Sequence, residues 1–229
     1  MESVSIVIPT FNEVDSIAQV LGEFPAEYRA DLIVADGGSK DGTQEAARAA
    51  GARVIDAGRG YGRACALGAA AAIETSTVIV FLDGDGADRG DLIDRIAGPV
   101  LRGEQDFVLA SRTLGNRDPG AMNWHQVVAG RLAGFGMGAL YGRAYTDMCA
   151  FRAISREALA RLDMQEMTYG WNIEMQMKAA RARLRIIEVP MPYRCRIGGV
   201  SKVAGSMQGT LKAGSRIIST FVRVASAKS

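Results

Sequence analysis

The sequence predicts an α/β protein whose mostly parallel sheet is flanked by helices. Two observations lead to this fold class. Short β-branched runs alternate with helical stretches of about ten residues in the first half of the chain, and loops rich in Asp, Gly, Ser or Asn follow three of the strands. Such alternation favours parallel strands joined by right-handed crossovers. The 229 residues, 48% of them hydrophobic, suffice for one sizeable domain.

The first half of the chain supplies five of the predicted strands. The run from Val4 to Pro9 is β-branched and typical of a buried strand, and Asn12 or Asp15 could cap the helix behind it. Asp36 and Asp83 each follow a later apolar run. The predicted strands are 4–9, 32–35, 52–55, 78–82 and 107–110, and the predicted helices are 16–24, 41–50, 64–73 and 91–101.

The second half is less regular. A helix over 124–140 contains many small residues, and Pro190 closes a strand at 185–190. The pattern also indicates a strand at 149–154, a helix at 171–181 and a final amphipathic helix at 207–224. Because no repeat, low-complexity linker or composition break divides the chain, we expect a single domain over residues 1–229.

Charge and cysteine content exclude several classes of function. The 27 basic and 25 acidic residues leave a formal net charge of +2, which gives no general argument for a nucleic-acid partner. One histidine and three cysteines without CxxC spacing argue against a zinc site and fit a reduced cytoplasmic compartment. The N-terminus lacks a signal-peptide pattern, and no window reaches about 18 uncharged apolar residues, so we expect no transmembrane helix.

The last third of the chain is basic, with few acidic residues between its cations. Such a tail fits an anionic ligand or an anionic membrane surface, and it equally fits a solvated basic helix. The final amphipathic helix could lie on a bilayer interface or pack on its own core or on a partner subunit. The cations are Arg194, Arg196, Lys202, Lys212, Arg216, Arg223 and Lys228.

Asp83-Gly84-Asp85 directly follows the apolar strand 78–82. Two carboxylates at this spacing, on a turn that glycine makes tight, can converge on one hard cation such as Mg²⁺ or Mn²⁺, which also binds substrate phosphates. In isolation an Asp-x-Asp is weak evidence, since acidic loops after strands are common. Its position beyond the carboxyl end of a strand is what favours a metal site.

Two further loops carry ligand-binding signals. Asp36 begins the run Asp36-Gly37-Gly38-Ser39, where its carboxylate could accept hydrogen bonds from a base or a ribose and the glycines permit close backbone approach. The alternative is a loop whose Asp41 caps a helix. The segment Gly58-Arg59-Gly60-Tyr61-Gly62-Arg63 resembles a phosphate-cradling loop at a helix N-terminus, although it is not a Walker motif.

Taken together, these segments resemble family 2 glycosyltransferases. Ser5 through Glu13 is similar to that family's opening Val-Ile-Pro-x-Tyr/Phe-Asn-Glu, the loop 36–43 to its Asp-Asp-Gly-Ser-x-Asp-Gly-Thr, and Asp83-Gly84-Asp85 to its metal motif. The resemblance covers residues 4–112. It implies the GT-A fold, with a Rossmann-like sheet and an acceptor-side α+β extension, an inverting mechanism and a nucleotide-diphosphate sugar donor. Gly37 stands where the family has a second Asp, so the resemblance does not determine which nucleobase is bound.

This resemblance implies that different segments of the chain bind the donor and the acceptor. Residues 1–112 would bind the nucleotide sugar, 113–205 the acceptor, and 206–229 would form the amphipathic helix. A metal on Asp83 and Asp85 would neutralise the diphosphate leaving group. The residues implied for the nucleotide sugar are Pro9, Thr10, Phe11, Glu13, Asp36, Gly38, Arg59, Gly60, Gly62, Asp83, Gly84 and Asp85.

The second half resembles the polyprenyl-phosphate (dolichyl-phosphate) mannosyl- and glucosyltransferase branch. That branch has Ser-Arg, then Asp…Phe-Arg, then Glu-Val-Pro…Arg-x-x-Gly-x-Ser-Lys, which residues 111–112, 147–152 and 188–202 match. Arginine suits such a site because its planar fork matches phosphate oxygens. By resemblance, the donor diphosphate and the acceptor phosphate would be surrounded by Arg112, Arg131, Arg196 and Lys202.

A missing base also favours a phosphate acceptor. Family members that act on sugar hydroxyls carry a Glu-Asp pair whose Asp is the general base, and Trp171-Asn172 stands where that pair would fall. An ionised phosphate needs cationic positioning instead of a base. The alternative is that this helix aligns with the family's Glu-Asp pair two residues further along, and that Glu174 is the general base for a hydroxyl acceptor.

The sequence therefore predicts a metal-dependent hexosyltransferase that uses a polyprenyl phosphate or another anionic or lipid acceptor. We expect it in the cytoplasm, peripheral on the inner face of the membrane, with no nucleic-acid partner, as a monomer or a homo-oligomer. Two other classes stay open. A nucleotidyltransferase would want a glycine-rich, basic loop after the first strand, which Pro9 to Glu13 is not; the other class is a catalytically silent sugar-nucleotide-binding module.

Overall fold

One seven-stranded sheet organises the computed structural model, which describes residues 3–198 and 207–227. Its order is β3-β2-β1-β4-β6-β5-β7, and only β6 runs antiparallel to its neighbours. The predicted mostly parallel sheet is confirmed. The strands are β1 (Ser3–Thr10), β2 (Leu32–Asp36), β3 (Arg53–Asp56), β4 (Ser76–Phe81), β5 (Phe107–Ser111), β6 (Arg152–Ser155) and β7 (Ile186–Pro190).

Helices connect the strands, and each predicted helix is present. The sequence analysis missed α6, whose N-terminus is capped by Ser155 through a 3.1 Å hydrogen bond from Ala158 N–H, and two short 3₁₀ helices at Ala26–Asp31 and Gly90–Leu92. The α-helices are α1 (Ile17–Glu23), α2 (Thr43–Ala49), α3 (Tyr61–Ala70), α4 (Asp94–Leu101), α5 (Trp124–Tyr141), α6 (Arg156–Leu162), α7 (Trp171–Arg181) and α8 (Met207–Ser226).

The core consists of two layers, one on each face of the sheet. Alternate residues of β1 enter opposite layers, because side chains alternate along a strand: Ile6 and Ile8 pack under α1 and α4, and Val7 packs under α3 and α7. Helices α5, α6 and α8 contribute to the second layer as well. The sheet is thus covered on both faces, which leaves the ends of its strands as the place for a ligand.

Small residues let α5 pack closely on the second half of the chain. A Cβ at Gly134 would overlap the backbone of Tyr145, so the helix requires glycine at that contact. The opposite side of α5 is apolar and open to solvent, with Trp124 and Phe135 each 77% exposed. Within residues 3–198 and 207–227, no helix combines the length and hydropathy needed to cross a bilayer.

Candidate functional site

The carboxyl ends of β1, β2 and β4 lie side by side, and each is followed by a polar loop. We name these the first loop (residues 10–13), the Asp36 loop (36–43) and the metal loop (83–88). Pro9 and Thr10 pair with Ala35 and Asp36 across the sheet. The N–H of Gly37 donates to the Thr10 carbonyl at 2.8 Å, which joins the first two loops. The fold therefore brings together the strand ends that the sequence singled out.

The Asp36 carboxylate is buried and accepts hydrogen bonds from the chain itself. Oδ1 accepts from Gly38 N–H, Ser39 N–H and Gln44 Nε2, and Oδ2 accepts from the hydroxyls of Thr10 and Ser39. Burial works to raise the pKa of Asp36, but these hydrogen bonds outweigh it and hold the pKa below its usual range. Asp36 thus shapes the loop around Gly38, and its direct contact with a nucleotide stays a prediction.

The metal loop places a buried, unsatisfied carboxylate oxygen at the tip of β4. Among the described residues, Oδ1 of Asp83 is buried and has no hydrogen-bond partner. Burial, together with the charge of Asp85, raises the pKa of Asp83 to about 7. Gly84 lets this loop approach the first loop, because a Cβ there would lie 2.9 Å from the methyl group of Thr10. An oxygen in this state is a suitable ligand for a hard divalent cation.

Asp88 is the third carboxylate of the metal loop and is buried, and the sequence analysis did not assign it to the site. Burial and the charge of Asp83 raise the pKa of Asp88 to about 8. Within the described part of the chain, no group of three or more His, Cys, Asp or Glu side chains forms a complete metal-ligand set. Because Mg²⁺ usually binds one or two carboxylates plus water and substrate phosphates, Asp83 and Asp85 fit a metal that the substrate helps to hold.

The glycine loop (residues 58–62) lies beside the first loop but does not offer the predicted phosphate cradle. The N–H groups of Gly62 and Arg63, at the start of α3, donate to the carbonyls of Thr168 and Met167 at 3.2 and 2.9 Å. Those donors are therefore already used, which corrects the assignment made from the glycine spacing. Gly60 instead permits close packing, because a Cβ there would lie 2.6 Å from the Met167 carbonyl oxygen.

Arg59, the cation of this loop, does reach the predicted donor residues. Its guanidinium carbon lies 3.6 Å from the centroid of the Phe11 ring, which makes a cation–π contact between the glycine loop and the first loop. Both residues keep some exposure to solvent. The pair thus offers a flat, cationic surface at the edge of the sheet.

Arg196 reaches the metal loop from the segment after β7. Its Nη2 atom lies 3.3 Å from both Glu13 carboxylate oxygens and 3.8 Å from Asp85 Oδ2. The N–H of Ile197 donates to the Asp85 carbonyl at 3.0 Å and fixes this segment over the loop. The arrangement puts one arginine between two acidic loops that are far apart in the sequence, where it could also pair with phosphate oxygens.

Arg112 lies at the end of β5 and is engaged by Asp147. The guanidinium donates to both Asp147 oxygens, at 2.8 and 2.7 Å, and lies 5.0 Å from the centroid of the Tyr193 ring. Arg131 is exposed on α5 and lines neither of the two cavities at this edge, so its role stays a prediction. Lys202, the fourth predicted cation, lies outside the described residues.

Glu174 is not placed to act as a general base, which corrects the alternative drawn from the sequence. Its side chain has no solvent exposure. It accepts hydrogen bonds from the N–H groups of Gln165 and Glu166, at 3.0 and 2.6 Å, and pairs with Lys178 and Arg223, at 3.1 and 3.5 Å. A base must come within hydrogen-bond reach of the acceptor hydroxyl, and this carboxylate is enclosed by the protein.

Two cavities at this edge share Gly120 in their walls. The inner cavity, of about 230 Å³, is lined by Asp85 and Arg196 together with Asn123, Gln126 and Tyr193. The outer cavity, of about 610 Å³, is lined by the segment 115–122 and by the start of α5, including Trp124 and Val128. A ligand could therefore place an anionic group beside the metal loop and an apolar group along α5.

Comparison with known proteins agrees with this geometry. The glycosyl transferase family 2 model matches residues 5–163, more than half of the chain. An uncharacterized glycosyltransferase of Mycobacterium tuberculosis is 35% identical over 215 residues, which cover 92% of this chain and 94% of that protein. A dolichyl-phosphate hexose transferase of Haloferax volcanii is 34% identical over 202 residues, which cover 86% of this chain and 85% of that protein.

A solved structure shares the whole fold. The glucosyl-3-phosphoglycerate synthase of Mycobacterium tuberculosis, in complex with Mn²⁺, UDP-glucose and phosphoglyceric acid, matches with a TM-score of 0.78 and 23% identity. The match covers 100% of this chain and 81% of that one. At this identity the likeness concerns the fold alone, and it confirms the predicted GT-A fold class.

Proposed function

This chain belongs to glycosyl transferase family 2, and from that membership we propose that it transfers a hexose, with inversion, from a nucleotide-diphosphate sugar to a polyprenyl phosphate. One observation carries the proposal. A buried Asp83 oxygen without a hydrogen-bond donor among the described residues adjoins Asp85, in a loop that also lines a cavity containing Arg196. The similarity to a dolichyl-phosphate hexose transferase supports the choice of acceptor.

Asp83 and Asp85 would hold Mg²⁺ or Mn²⁺, which when bound neutralises charge on the diphosphate leaving group. The Mn²⁺ and UDP-glucose bound by the structural neighbour support this choice of cofactor and donor class. The fold buries the Asp83 carboxylate close to the negative charge of Asp85. Two such charges are unfavourable without a cation, so this arrangement favours metal binding. Arg196, within 3.8 Å of Asp85, would exchange its carboxylate partners for the diphosphate.

The first loop and the Arg59–Phe11 stack would seat the nucleotide. The stack offers a flat cationic surface for a base or a phosphate, and Gly38 lets the Asp36 loop approach the ligand closely. The predicted contacts by Pro9, Thr10 and Glu13 belong to this proposal. Gly60 and Gly62 would act indirectly, because they let the glycine loop pack against residues 166–168.

The inner cavity suits an acceptor that is already ionised. It contains the guanidinium of Arg196 and the side chains of Asn123 and Gln126, all of which can donate hydrogen bonds to phosphate oxygens. Among the described residues that line it, Asp85 is the only carboxylate, and Asp85 is proposed to bind the metal. A phosphate nucleophile needs positioning instead of a base, which fits the enclosed position of Glu174.

An apolar stripe on α5 supports a peripheral position on the membrane. The stripe consists of Trp124, Val128, Leu132 and Phe135, which recur at the spacing of one helix face and are 77%, 44%, 67% and 77% exposed. Trp124 and Val128 also line the outer cavity. A bilayer in contact with this stripe would deliver the lipid end of the acceptor to that cavity.

Helix α8 extends this apolar surface. A Cβ at Gly136 of α5 would lie 2.9 Å from the Phe221 ring, so the two helices are in contact. Leu211, Ile218 and Val222 on α8 are 67%, 66% and 57% exposed. Lys212, Arg216 and Arg223 of the same helix would favour the anionic inner face of the membrane.

An acceptor comparison tests the proposal. The purified protein is incubated with Mn²⁺, a panel of labelled nucleotide sugars, and short polyprenyl phosphates or the matching polyprenols. Transfer to the phosphate and not to the alcohol is expected, and the reverse result would reject the acceptor argument. Binding of a nucleotide sugar without transfer to any acceptor would favour the silent binding module.

A further inference from the structure

Glu166, between α6 and α7, ties α8 to the rest of the protein. Its carboxylate accepts a 2.9 Å hydrogen bond from the buried Thr220 hydroxyl and pairs with Arg223 at 3.3 Å. The Glu166 side chain is only 8% exposed. Gly170 makes this approach possible, because a Cβ there would overlap the Thr220 hydroxyl. Helix α8 is therefore attached through a buried polar network as well as through apolar packing.

The same segment seats the start of α3. The carbonyls of Met167 and Thr168 accept the N–H groups of Arg63 and Gly62. Thr168 in turn donates its own N–H, at 3.0 Å, and its hydroxyl to the Glu166 carboxylate. The carboxylate that holds α8 thus also orders the backbone on which the glycine loop rests.

The start of α3 carries two side chains into the candidate site. Tyr61 lies near Asp83, since burial and then the charge of Asp83 raise the pKa of its hydroxyl. Arg59, two residues earlier, stacks on Phe11. Both residues are next to Gly60, whose positive φ of 129° fixes the turn into α3. A backbone shift at residues 166–168 would therefore move a partner of the metal loop and a partner of the first loop together.

We propose that Glu166 is a positioning residue that makes metal and donor binding depend on the docking of α8. This inference rests on the proposed function, in which Asp83 holds the metal and the first loop seats the donor. Helix α8 exposes Ile218 and Val222, so the membrane surface proposed to contact this helix would act on the donor site through Thr220 and Glu166. The coupling is reciprocal: a bound donor strengthens the docking of α8.

Removing one hydroxyl tests the coupling. In the full chain, Thr220→Val deletes the donor to Glu166 at nearly constant volume, and Thr220→Ser retains it. We expect Thr220→Val to raise the donor KM and the Mn²⁺ Kd roughly tenfold with kcat little changed, and Thr220→Ser to stay near wild type. Ser219→Ala, which removes the exposed hydroxyl next to it, is the matched control. Unchanged KM and Mn²⁺ affinity in Thr220→Val would overturn the proposal.

Two further variants separate positioning from simple loss of stability. Gly170→Ala should raise the donor KM in the same way, because it displaces Thr220 with every polar group intact. Val100→Ala removes buried volume from α4, in the core layer on the other side of the sheet. If Val100→Ala raised the donor KM as much as Thr220→Val did at an equal loss of Tm, the proposal would be rejected.

Binding measurements on the wild-type protein separate failure of the proposed function from failure of the coupling through Glu166. A wild-type chain that binds neither Mn²⁺ nor any nucleotide sugar contradicts the proposed function itself. A wild-type chain that binds both, with the Thr220→Val variant equally good, contradicts only the coupling through Glu166.

Discussion

Arg112 and Asp147 form a buried, two-point ion pair at the end of β5. Arg112 Nε and Nη2 lie 2.8 and 2.7 Å from the two Asp147 oxygens, and the Arg112 backbone N–H donates to the same carboxylate at 2.9 Å. The Asp147 side chain is only 3% exposed. Removing one member of such a pair leaves a buried charge without its partner, which costs about 3 kcal/mol.

Asp147→Asn should lower Tm strongly at neutral pH and much less in acid. Burial works to raise the pKa of Asp147, but the hydrogen bond and charge of Arg112 outweigh it and hold the pKa below its usual range. A depressed pKa stabilises the fold above the unfolded value of about 3.9, and that contribution is lost as the pH falls through the folded value. Melting curves of the wild-type protein and the Asp147→Asn variant, at neutral pH and at a pH well below about 3.9, test this pH dependence. A Tm difference between the two proteins that does not change with pH contradicts it.

Activity should require a divalent cation on the metal loop. Excess chelator is expected to stop transfer, and Asp85→Asn should lower kcat by at least about a hundredfold, because charge on the leaving group is then poorly neutralised. Circular dichroism should show an intact fold. Glu104→Gln, which changes an exposed carboxylate, serves as the control. Full turnover in excess chelator would refute the metal role.

Gly60→Ala should weaken donor binding and lower stability, because Gly60 has a φ of 129° and a Cβ would lie 2.6 Å from the Met167 carbonyl oxygen. Gly22→Ala is the matched control. It lies in α1 with nothing within 4 Å of the added Cβ, so it should leave stability unchanged or raise it by about 0.5–1 kcal/mol. Denaturant unfolding and donor titration measure both effects, and equal outcomes for the two variants would refute the packing argument.

Phe135→Ser should reduce binding to anionic lipid vesicles, because it removes a 77% exposed ring from the apolar stripe of α5. Leu67→Ser, at an exposed position on α3, should not. Vesicle flotation is the measurement. Should Phe135→Ser leave vesicle binding intact but convert a dimer to a monomer in gel filtration, the stripe would be a subunit interface.

Glu174→Gln should lower Tm without changing the pH dependence of kcat. Glu174 is enclosed by two backbone donors and two cations, so its loss weakens the contact between α7 and α8 and removes no base. The pH–rate profile is the decisive readout. With a polyprenol acceptor, loss of the acidic limb of this profile, along which kcat rises as a catalytic carboxylate loses its proton, would reinstate Glu174 as the general base.

The pattern of apolar and polar residues predicted most helices and strands, because that pattern follows from which side chains each helix or strand buries. Helix α7 has the predicted bounds, and β1 and β4 lie within about two residues of theirs, since a buried strand is read directly from its apolar run. Helix α6 was missed because its seven residues show too little periodicity, although the Ser155 cap was an available signal.

By itself, the sequence determined the parallel sheet and the strand-end positions of Asp36 and Asp83, because a strand and the loop behind it are adjacent in the chain. Only the tertiary structure decided which groups were already satisfied. The N–H groups of the glycine loop, the carboxylate of Glu174 and the approach of Arg196 to Asp85 all depend on segments distant in sequence. A hydrogen-bonding group is available to a ligand only if no such segment has occupied it, and that follows from packing, which periodicity does not record.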